Sequence, residues 1–405
     1  MAKQIFEGVK VADFAWSGVG PFPQLYMSGY GATVVRIESA KRPDVLRTMG
    51  PYKDDVPGIN RGFYNHSCIN KYGLSLDLNH PKGRDVARRL IKWADVMSEA
   101  YTPGVMARWG LGYEDVKKFK PDIIYYSTSM MGQTGPFSGL PGFGGQLTAM
   151  SGFSLITGWP DRIPAVVYGA NTDCMNVWLA IPTIIAALLY RRRTGKGLYI
   201  DLAQYEGALH WLTPAILDYT VNKRKMGRNG NRDPMAAPHG VYRCQGYEKW
   251  CAIAVFTDEE WQAFCRVIGS PEWTKEERFA TLLGRKKNED ELNRLVEEWT
   301  IGHTPEEVMK RMQAEGVAAG AVLNAEGVFN DPQLQLRQVY AEVNHPEIGV
   351  VYPMNIPGYS RFSKVPFEIK RPPHCVGEHN EYVCTRLLGM SHDEFVKLTK
   401  EGVFD

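Results

Sequence analysis

The chain lacks the cysteine pattern of a disulfide framework or a zinc site. Its seven cysteines, among 405 residues, are an odd number, and no two of them are spaced as CxxC. Such cysteines are typical of proteins kept in a reducing compartment. We therefore expect no bound metal ion, no structural disulfide and a cytoplasmic location.

An excess of one charge is also missing. The 47 basic and 45 acidic residues leave a formal net charge of +2, and no long basic block indicates nucleic-acid binding. The first residues have no signal-peptide or transit-peptide character. The apolar stretch within residues 166–197 is interpreted as too short and too interrupted to cross a bilayer. It predicts a buried helix and no membrane partner.

Common catalytic motifs are absent as well. No GxSxG, HExxH or HxH sequence occurs, and no cysteine lies in a recognisable nucleophile motif. The loop SGVGPF at residues 17–22 contains GxG, but the third glycine of a dinucleotide-binding fingerprint is missing and Pro23 stands there. We predict that this loop binds no NAD and that its amides approach a phosphate-bearing or acyl-bearing ligand.

What the chain does contain is an alternation of short strands and helices. Val9–Phe14 is predicted as a strand, Pro21 as a helix start and Thr33–Glu38 as a second strand. A strand–helix–strand unit this short implies parallel pairing with a right-handed crossover. The pattern continues with a helix at 79–93 and strands at 74–78, 94–98 and 122–127. The fold class is therefore α/β, with a doubly wound sheet.

The composition changes after this region and divides the chain into three parts. Residues 1–222 are predicted to form a large domain, and 224–233 a polar linker. Residues 223–325 are predicted as a smaller α+β domain that begins with a β-hairpin at 240–256. Residues 326–405 are predicted to return to the large domain, ending in a helical pair at 379–402.

Three positions are candidates for chemistry. Asp173 lies at the start of the apolar helix, where free backbone amides and the positive helix end favour an ionised, nucleophilic carboxylate. Most acids at helix starts are plain caps, so this position alone predicts a cap. Lys71 and Arg108 lie near predicted strand ends, where open α/β sheets bind ligands, although exposed cations are mostly just solvated.

Whole segments resemble the class III CoA-transferases, the family of formyl-CoA transferase and L-carnitine CoA-transferase. The similarity runs along nearly the full chain in an ordered set of motifs. These are GVKVADFAWSGVGPF, GATVVRIES, INKYGLSLDLNHPKG, ADVMSEAYTPGVMARWGLGYEDV, MGQTGP, RRRTGKG, DLAQYEGAL, PHGVYRCQG, VAAGAVLNAEGVFNDPQ and GEHNEYVCTRLLGMS.

The resemblance implies a reaction and a set of site residues. CoA would move from an acyl-CoA donor to a carboxylic acid through an anhydride and an aspartyl-CoA thioester on Asp173, with CoA thioesters as substrates and no permanently bound cofactor. By the resemblance, Ser17, Gly18 and Val19 lie near the thioester. Ala100 and Tyr101 match positions beside the pantetheine arm of CoA, and Lys71 and Arg108 match positions that contact its nucleotide.

The resemblance also implies an architecture and an acceptor. The family fold is a large Rossmann-like domain plus a smaller one, with two subunits interlocked like chain links, so we expect a homodimer or a heteromer with a related subunit. The DFAW…GPF opening is most similar to benzylsuccinate CoA-transferase subunits. If Trp16 and Phe22 line the pocket rather than the core, the acceptor is larger than formate and is aromatic or dicarboxylic.

Two departures from the family leave alternatives open. Gly144 stands where many transferases carry an acid, and PMAAPHG at residues 234–240 replaces the glycine-rich loop of formyl-CoA transferases. The α-methylacyl-CoA racemases share the fold but place a His–Asp pair where this chain has Phe143 and Gly144, which removes the general base. A partner subunit of a hetero-oligomeric transferase is a further alternative.

Overall fold

The computed structural model describes residues 4–167, 169–354 and 362–404, without the side chains of residues 64 and 65. Parts of the predicted first and last domains, at 1–3, 168, 355–361 and 405, lie outside the described residues. The chain divides into two compact units. The larger comprises residues 1–153, 166–223 and 335–405, and the smaller comprises 154–165 and 224–334. The smaller unit thus also takes a segment at 154–165 from within the predicted first domain.

The larger unit is built on a six-stranded sheet in which every neighbouring pair is parallel. The strand order is β3-β2-β1-β4-β5-β6, which is that of a doubly wound nucleotide-binding fold and confirms the predicted fold class. The strands are β1 Lys10–Asp13, β2 Thr33–Glu38, β3 Tyr72–Ser75, β4 Val96–Glu99, β5 Ile124–Ser129 and β6 Leu198–Ala203.

The strand order reverses between β1 and β4, and this reversal fixes where a ligand can bind. The chain leaves β1 towards β2 on one side and leaves β4 towards β5 on the other, so a crevice opens beyond the carboxyl ends of the two strands. The loops after β1 and β4, which carry the predicted Ser17 and Tyr101, border this crevice.

Ten helices are described between residues 22 and 222, together with 3₁₀ turns at 53–55, 63–68 and 210–212. They are α1 Phe22–Gly29, α2 Val45–Thr48, α3 Pro81–Trp93, α4 Val105–Arg108, α5 Tyr113–Phe119, α6 Gly144–Met150, α7 Phe153–Ile156, α8 Asn171–Thr194, α9 Gln204–Leu209 and α10 Thr213–Asn222.

Helix α8 differs from its prediction in length and in burial. It has 24 residues and is long and apolar enough to span a membrane, although the sequence interpretation considered it too short. Only 33% of its most apolar 18-residue window is buried, so it is not the buried helix that was expected. The apolar composition suggested a fully buried helix. However, the apolar residues lie on all sides of α8, and only one side packs on the sheet.

The smaller unit has its own antiparallel sheet, in the order β7-β8-β9, and its own apolar core around Trp261, Phe264 and Phe279. Helices α11–α14 cover it, and 3₁₀ turns lie at 272–275 and 277–279. The elements are β7 His239–Arg243, β8 Trp250–Ala254, α11 Asp258–Val267, α12 Leu282–Lys287, α13 Glu289–Thr300, α14 Pro305–Ala314, β9 Ala318–Ala321, α15 Ala325–Phe329 and α16 Pro332–Leu336.

The C-terminal residues return to the larger unit. They form a hairpin of β10 Val343–His345 and β11 Gly349–Val351, a π-helix at Tyr382–Leu387 and α17 His392–Lys400. Val383, Leu398 and Phe404 belong to the same apolar core as Leu90 of α3 and Met97 of β4. The terminal helical pair therefore packs on the large unit, as the sequence predicts.

Candidate active site

A cavity of about 330 Å³ opens at the crevice beyond β1 and β4. We call it the switch-point cavity, because the strand order reverses between these two strands. Its walls come from the loops after β1, β2, β4, β5 and β6 and from the start of α6 and α8. The lining residues are Trp16, Ser17, Val19, Arg42, Ala100, Tyr101, Thr102, Pro103, Ser129, Met130, Ser138, Leu140, Pro141, Gly142, Phe143, Gly144, Asp173 and Gln204. Asp173 is the one acid and Arg42 the one base among these described residues.

Asp173 occupies the first turn of α8, with its carboxylate held between two glycines. A Cβ added to Gly18 would lie 3.5 Å from Asp173 Oδ2, and one added to Gly144 would lie 2.8 Å from Oδ1. Burial raises the pKa of Asp173 to about 6, whereas the sequence predicted a helix start that favours ionisation. Burial prevails because, within the described part of the chain, no side-chain or backbone donor bonds this carboxylate.

The first turn of α8 is tied to its neighbours by hydrogen bonds. Thr172 Oγ1 donates to the Gly144 carbonyl at 3.1 Å, which joins α8 to the start of α6. One turn later, the buried Asn176 Nδ2 donates to the carbonyls of Thr172 at 2.7 Å and Gln204 at 3.0 Å. Asp173 therefore projects from a turn that is fixed to both α6 and α9.

Buried charged side chains hold the loop after β1 at its two ends, Ala15 and Pro21. Asp13 Oδ1 accepts from the Ala15 amide at 3.2 Å, and Arg36 Nη1 donates to the Ala15 carbonyl at 3.0 Å. Lys71 Nζ donates to the Pro21 carbonyl and to Asp13 Oδ2, both at 2.7 Å. These side chains are fully or almost fully buried. The loop that faces Asp173 is thus held at both ends.

The buried position of Lys71 does not support its predicted contact with CoA. Its side chain is 0% exposed, it does not line the cavity, and its ammonium is shared between a carboxylate and a carbonyl. No local pattern indicates this pairing, because Asp13 lies 58 positions away from Lys71 in the chain. Arg108, at the end of α4, is exposed and also stands outside the lining. Its predicted contact stays a prediction.

A second buried cluster lies beside the first and could offer ligand atoms to a metal ion. Glu38, Cys68 and His374 bring one such atom each within 4.8 Å of one another. However, Arg47 donates to both carboxylate oxygens of Glu38 at 2.6 Å, and burial raises the pKa of the Cys68 thiol. A guanidinium on the carboxylate and a protonated thiol fit a divalent cation poorly.

An aromatic wall separates the cavity from a neighbouring groove. The Trp16 ring lies 5.7 Å from Tyr101, which lies 5.4 Å from Trp109, and the Arg42 guanidinium lies 5.9 Å from the Trp16 ring. Phe22 stands apart from the lining, although its Cε2 would lie 3.7 Å from a Cβ on Gly18. Trp16 therefore lines the cavity and Phe22 backs the loop.

The wall is supported by a buried carboxyl at the end of β4. Glu99 Oε2 accepts from the Tyr101 amide at 2.8 Å, and Oε1 accepts a short hydrogen bond from Ser127. Burial raises the pKa of Glu99 to about 7. Glu99 fixes the turn on which Ala100 and Tyr101, both predicted site residues, enter the lining.

The structure brings most of the predicted site together. Ser17, Val19, Ala100, Tyr101 and Asp173 share the cavity, and Gly18 touches the carboxylate. The lining residues that sequence reasoning missed include Arg42, Ser129 and Gln204, each of which follows or ends a strand on the ligand-binding side. Their position at or after the end of a strand is the sequence signal that could have identified them. No histidine is among the described lining residues, so an imidazole base for racemisation is missing there.

The comparisons with known proteins agree with this geometry. The sequence model of CoA-transferase family III matches residues 6–380. A succinyl-CoA–D-citramalate CoA-transferase from Chloroflexus aurantiacus is 29% identical over 397 residues, 98% of this chain and 97% of that protein. An acetyl-CoA:oxalate CoA-transferase from Acetobacter aceti is 33% identical over 363 residues, 87% of this chain and 90% of that protein.

A solved structure extends the agreement to the fold. The crystal structure of a CAIB/BAIF family protein from Brucella suis has a TM-score of 0.87 at 29% identity, covering 95% of this chain and 100% of that one. Because the family match spans the switch-point cavity and both compact units, the chain belongs to CoA-transferase family III and is an enzyme that moves CoA between acyl-CoA thioesters and carboxylic acids.

Proposed function

We propose that Asp173 is the nucleophile of this CoA-transferase and carries the acyl group and then CoA. The observation that supports it is a carboxylate without a described donor, held between Gly18 and Gly144 in the switch-point cavity. A partly desolvated carboxylate without such donors is a stronger nucleophile, and a pKa of about 6 leaves it mostly ionised at neutral pH.

The steps balance without a cofactor. Asp173 attacks the donor thioester, forms a mixed anhydride and releases CoA thiolate. The thiolate attacks the aspartyl carbonyl, giving an aspartyl-CoA thioester and freeing the donor acid. The acceptor carboxylate attacks the carbonyl of this thioester, which forms a second anhydride and releases CoA thiolate again. The thiolate then attacks the acceptor acyl carbonyl of the anhydride, which gives the new acyl-CoA and restores the Asp173 carboxylate. The backbone amides of Gly18 and Val19 are the proposed support for the oxyanions, because the Ser17 amide already donates to Asp44.

The CoA molecule is proposed to lie along the aromatic wall. Its pantetheine arm would pass Ala100 and Tyr101, and its nucleotide would lie over the shallow groove lined by Trp16, Asn79 and Trp109, whose volume of about 90 Å³ is too small to enclose it. Arg108 is kept as a candidate phosphate contact at the exposed end of α4. Lys71 is assigned to holding the loop and not to CoA, because its ammonium already has two partners.

The acceptor acid is proposed to be dicarboxylic. The cavity holds one base, Arg42, which can bind a distal carboxylate while the other carboxylate reacts at Asp173. The names of the two relatives contain the dicarboxylic groups succinyl, citramalate and oxalate, and also the monocarboxylic acetyl group of one CoA donor, so the rule is proposed for the acceptor acid. Benzylsuccinate, whose ring could stack on Trp16, satisfies the same rule and remains a candidate acceptor.

The central test is the fate of Asp173. Incubation with an acyl-CoA and hydroxylamine should leave a hydroxamate on Asp173, detected by peptide mass spectrometry, and Asp173→Ala should lose transfer. The neighbouring Cys174→Ala variant should keep both. Transfer by Asp173→Ala at the wild-type rate would refute the proposal.

Substitution of Arg42 tests whether the acceptor acid is dicarboxylic. Arg42→Gln should raise the KM for succinate, glutarate or benzylsuccinate by about tenfold or more, the cost of a lost charged hydrogen bond, and leave that for cinnamate or butyrate unchanged. An equal rise for every acyl-CoA donor would instead assign Arg42 to a phosphate of CoA.

The active species is proposed to be a dimer in the cytoplasm. Helix α10 has no buried residue, although it carries Ile216, Leu217, Tyr219 and Val221. An apolar helix of this kind needs a covering surface, for which a second copy of the chain is the simplest source. If the chain is instead one subunit of a heteromer, the purified protein alone would be inactive.

A further inference from the structure

Asp44 joins two loops of the cavity through one buried carboxylate. Its Oδ2 accepts from the Ser17 amide at 3.0 Å and from Arg36 Nη2 at 2.5 Å. Its Oδ1 accepts from the Leu46 amide at 2.9 Å, where it caps α2. The residue is 0% exposed, so these are bonds of the protein interior. Asp44 also closes the short loop that carries Arg42 into the lining.

The bond to Ser17 acts on an unfavourable backbone conformation. Ser17 has φ of 60°, in the left-handed region, where a side chain is disfavoured and glycine is not. The next residue, Gly18, is the one whose Cβ would lie 3.5 Å from Asp173 Oδ2. The conformation of Ser17 therefore decides which face of the loop is presented to the nucleophile.

We propose that Asp44 is a positioning residue for the transfer reaction, because it holds Ser17 in the left-handed conformation and so keeps Gly18 packed on Asp173. This rests on the proposed function of Asp173. A loop closed in this way excludes water from the anhydride and the aspartyl thioester, both of which water would hydrolyse. Loss of the Asp44 bond should thus increase hydrolysis relative to transfer, an effect that a loss of folding alone does not produce.

Asp44→Asn is the informative substitution because it turns one of the two acceptor oxygens into a donor, so the amides of Ser17 and Leu46 can no longer both be bonded, while Arg36 keeps other partners. Arg36 remains 3.0 Å from the Ala15 carbonyl and 3.7 Å from Asp13. In this variant we expect CoA release without an acceptor acid, measured with a thiol reagent, to rise about fivefold or more relative to transfer. The KM for acyl-CoA should change little, since the aromatic wall is untouched.

Ser17→Gly provides the rescue, because glycine adopts the left-handed conformation without help. The effect of Asp44→Asn on the ratio of hydrolysis to transfer should be smaller in the Ser17→Gly background than in the wild type. Asp122→Asn is the matched control. It removes a carboxylate that lies 2.5 Å from Arg191, outside the cavity lining, and should leave the ratio unchanged.

Two results would overturn the proposal. One is an Asp44→Asn enzyme in which hydrolysis and transfer fall together, and the other is an equal effect of that substitution with Ser17 or Gly at position 17. Failure of the proposed function is a separate result, namely transfer that survives Asp173→Ala in an otherwise wild-type chain.

Discussion

At the scale of single residues, the character of the site is set by what surrounds one carboxylate. Asp173 is partly buried, has no hydrogen-bond donor among the described residues, and has a glycine on each side. The departure from the family at Gly144 has a steric reason. A Cβ at position 144 would lie 2.6 Å from the Ala170 Cβ and 2.8 Å from Asp173 Oδ1, so an acid there would have to displace Asp173.

The pH dependence of the reaction follows from the raised pKa of Asp173. In the proposed mechanism its ionised form is the nucleophile, so kcat/KM for acyl-CoA should be flat above about pH 7 and fall tenfold per unit below the pKa of about 6. A carboxylate at its usual pKa would shift this fall to about pH 4. Glu99, whose pKa is raised to about 7, is the competing source of a pH step. Glu99→Gln should leave the inflection near pH 6, and its disappearance in that variant would assign it to Glu99.

Gly144→Ala tests the contact with the nucleophile. The added methyl meets Asp173 and Ala170 below van der Waals distance, so we expect kcat to fall by about a hundredfold, as for a misplaced reacting group. Gly145→Ala is the matched control, because its Cβ would meet nothing within 4 Å. Steady-state kinetics of both variants would decide the matter, and equal activities would contradict the packing described here.

At the scale of elements, sequence and structure agree on strands and helices more than on their ends. Thr33–Glu38 is a strand as predicted, and a helix ends at Trp93 as predicted. The strand predicted at 74–78 lies instead at Tyr72–Ser75, because pairing with β2 ends where Glu38 ends. Alternation in the sequence shows that a strand exists, but only the partner strand fixes its limits.

The buried pair of Lys71 and Asp13 supports the loop after β1, and its loss should cost stability. Lys71→Met leaves a buried carboxylate with its nearer partner removed, so we expect a loss of about 3–5 kcal/mol in the free energy of unfolding. Lys118→Met, at an exposed pair with Asp115, should cost about 0–1 kcal/mol. Urea unfolding measures both. A Lys71→Met protein of wild-type stability with weakened CoA binding would restore the contact first predicted from the sequence.

At the scale of the whole molecule, helices α8 and α10 carry apolar side chains that no other part of the described chain covers. Leu217 and Val221 of α10 are exposed by 54% and 73%, and α8 is only one-third buried in its apolar window. We expect light scattering of the purified chain to give a dimer that Leu217→Lys with Val221→Lys weakens. Leu336→Lys, at a residue 80% exposed outside these helices, is the control. A wild-type monomer with full activity would contradict the proposed assembly.

The sequence by itself determined the fold class, the family and the position of Asp173, because these depend on local periodicity and on the order of motifs along the chain. The tertiary structure decided which partner each charged group meets. Lys71 is neutralised by Asp13, Arg42 is left to face the cavity, and Gly144 makes room for the carboxylate of Asp173. These outcomes depend on residues far apart in the chain, and burial, which changes the pKa of a carboxylate, exists only once the sheet and its loops have closed around it.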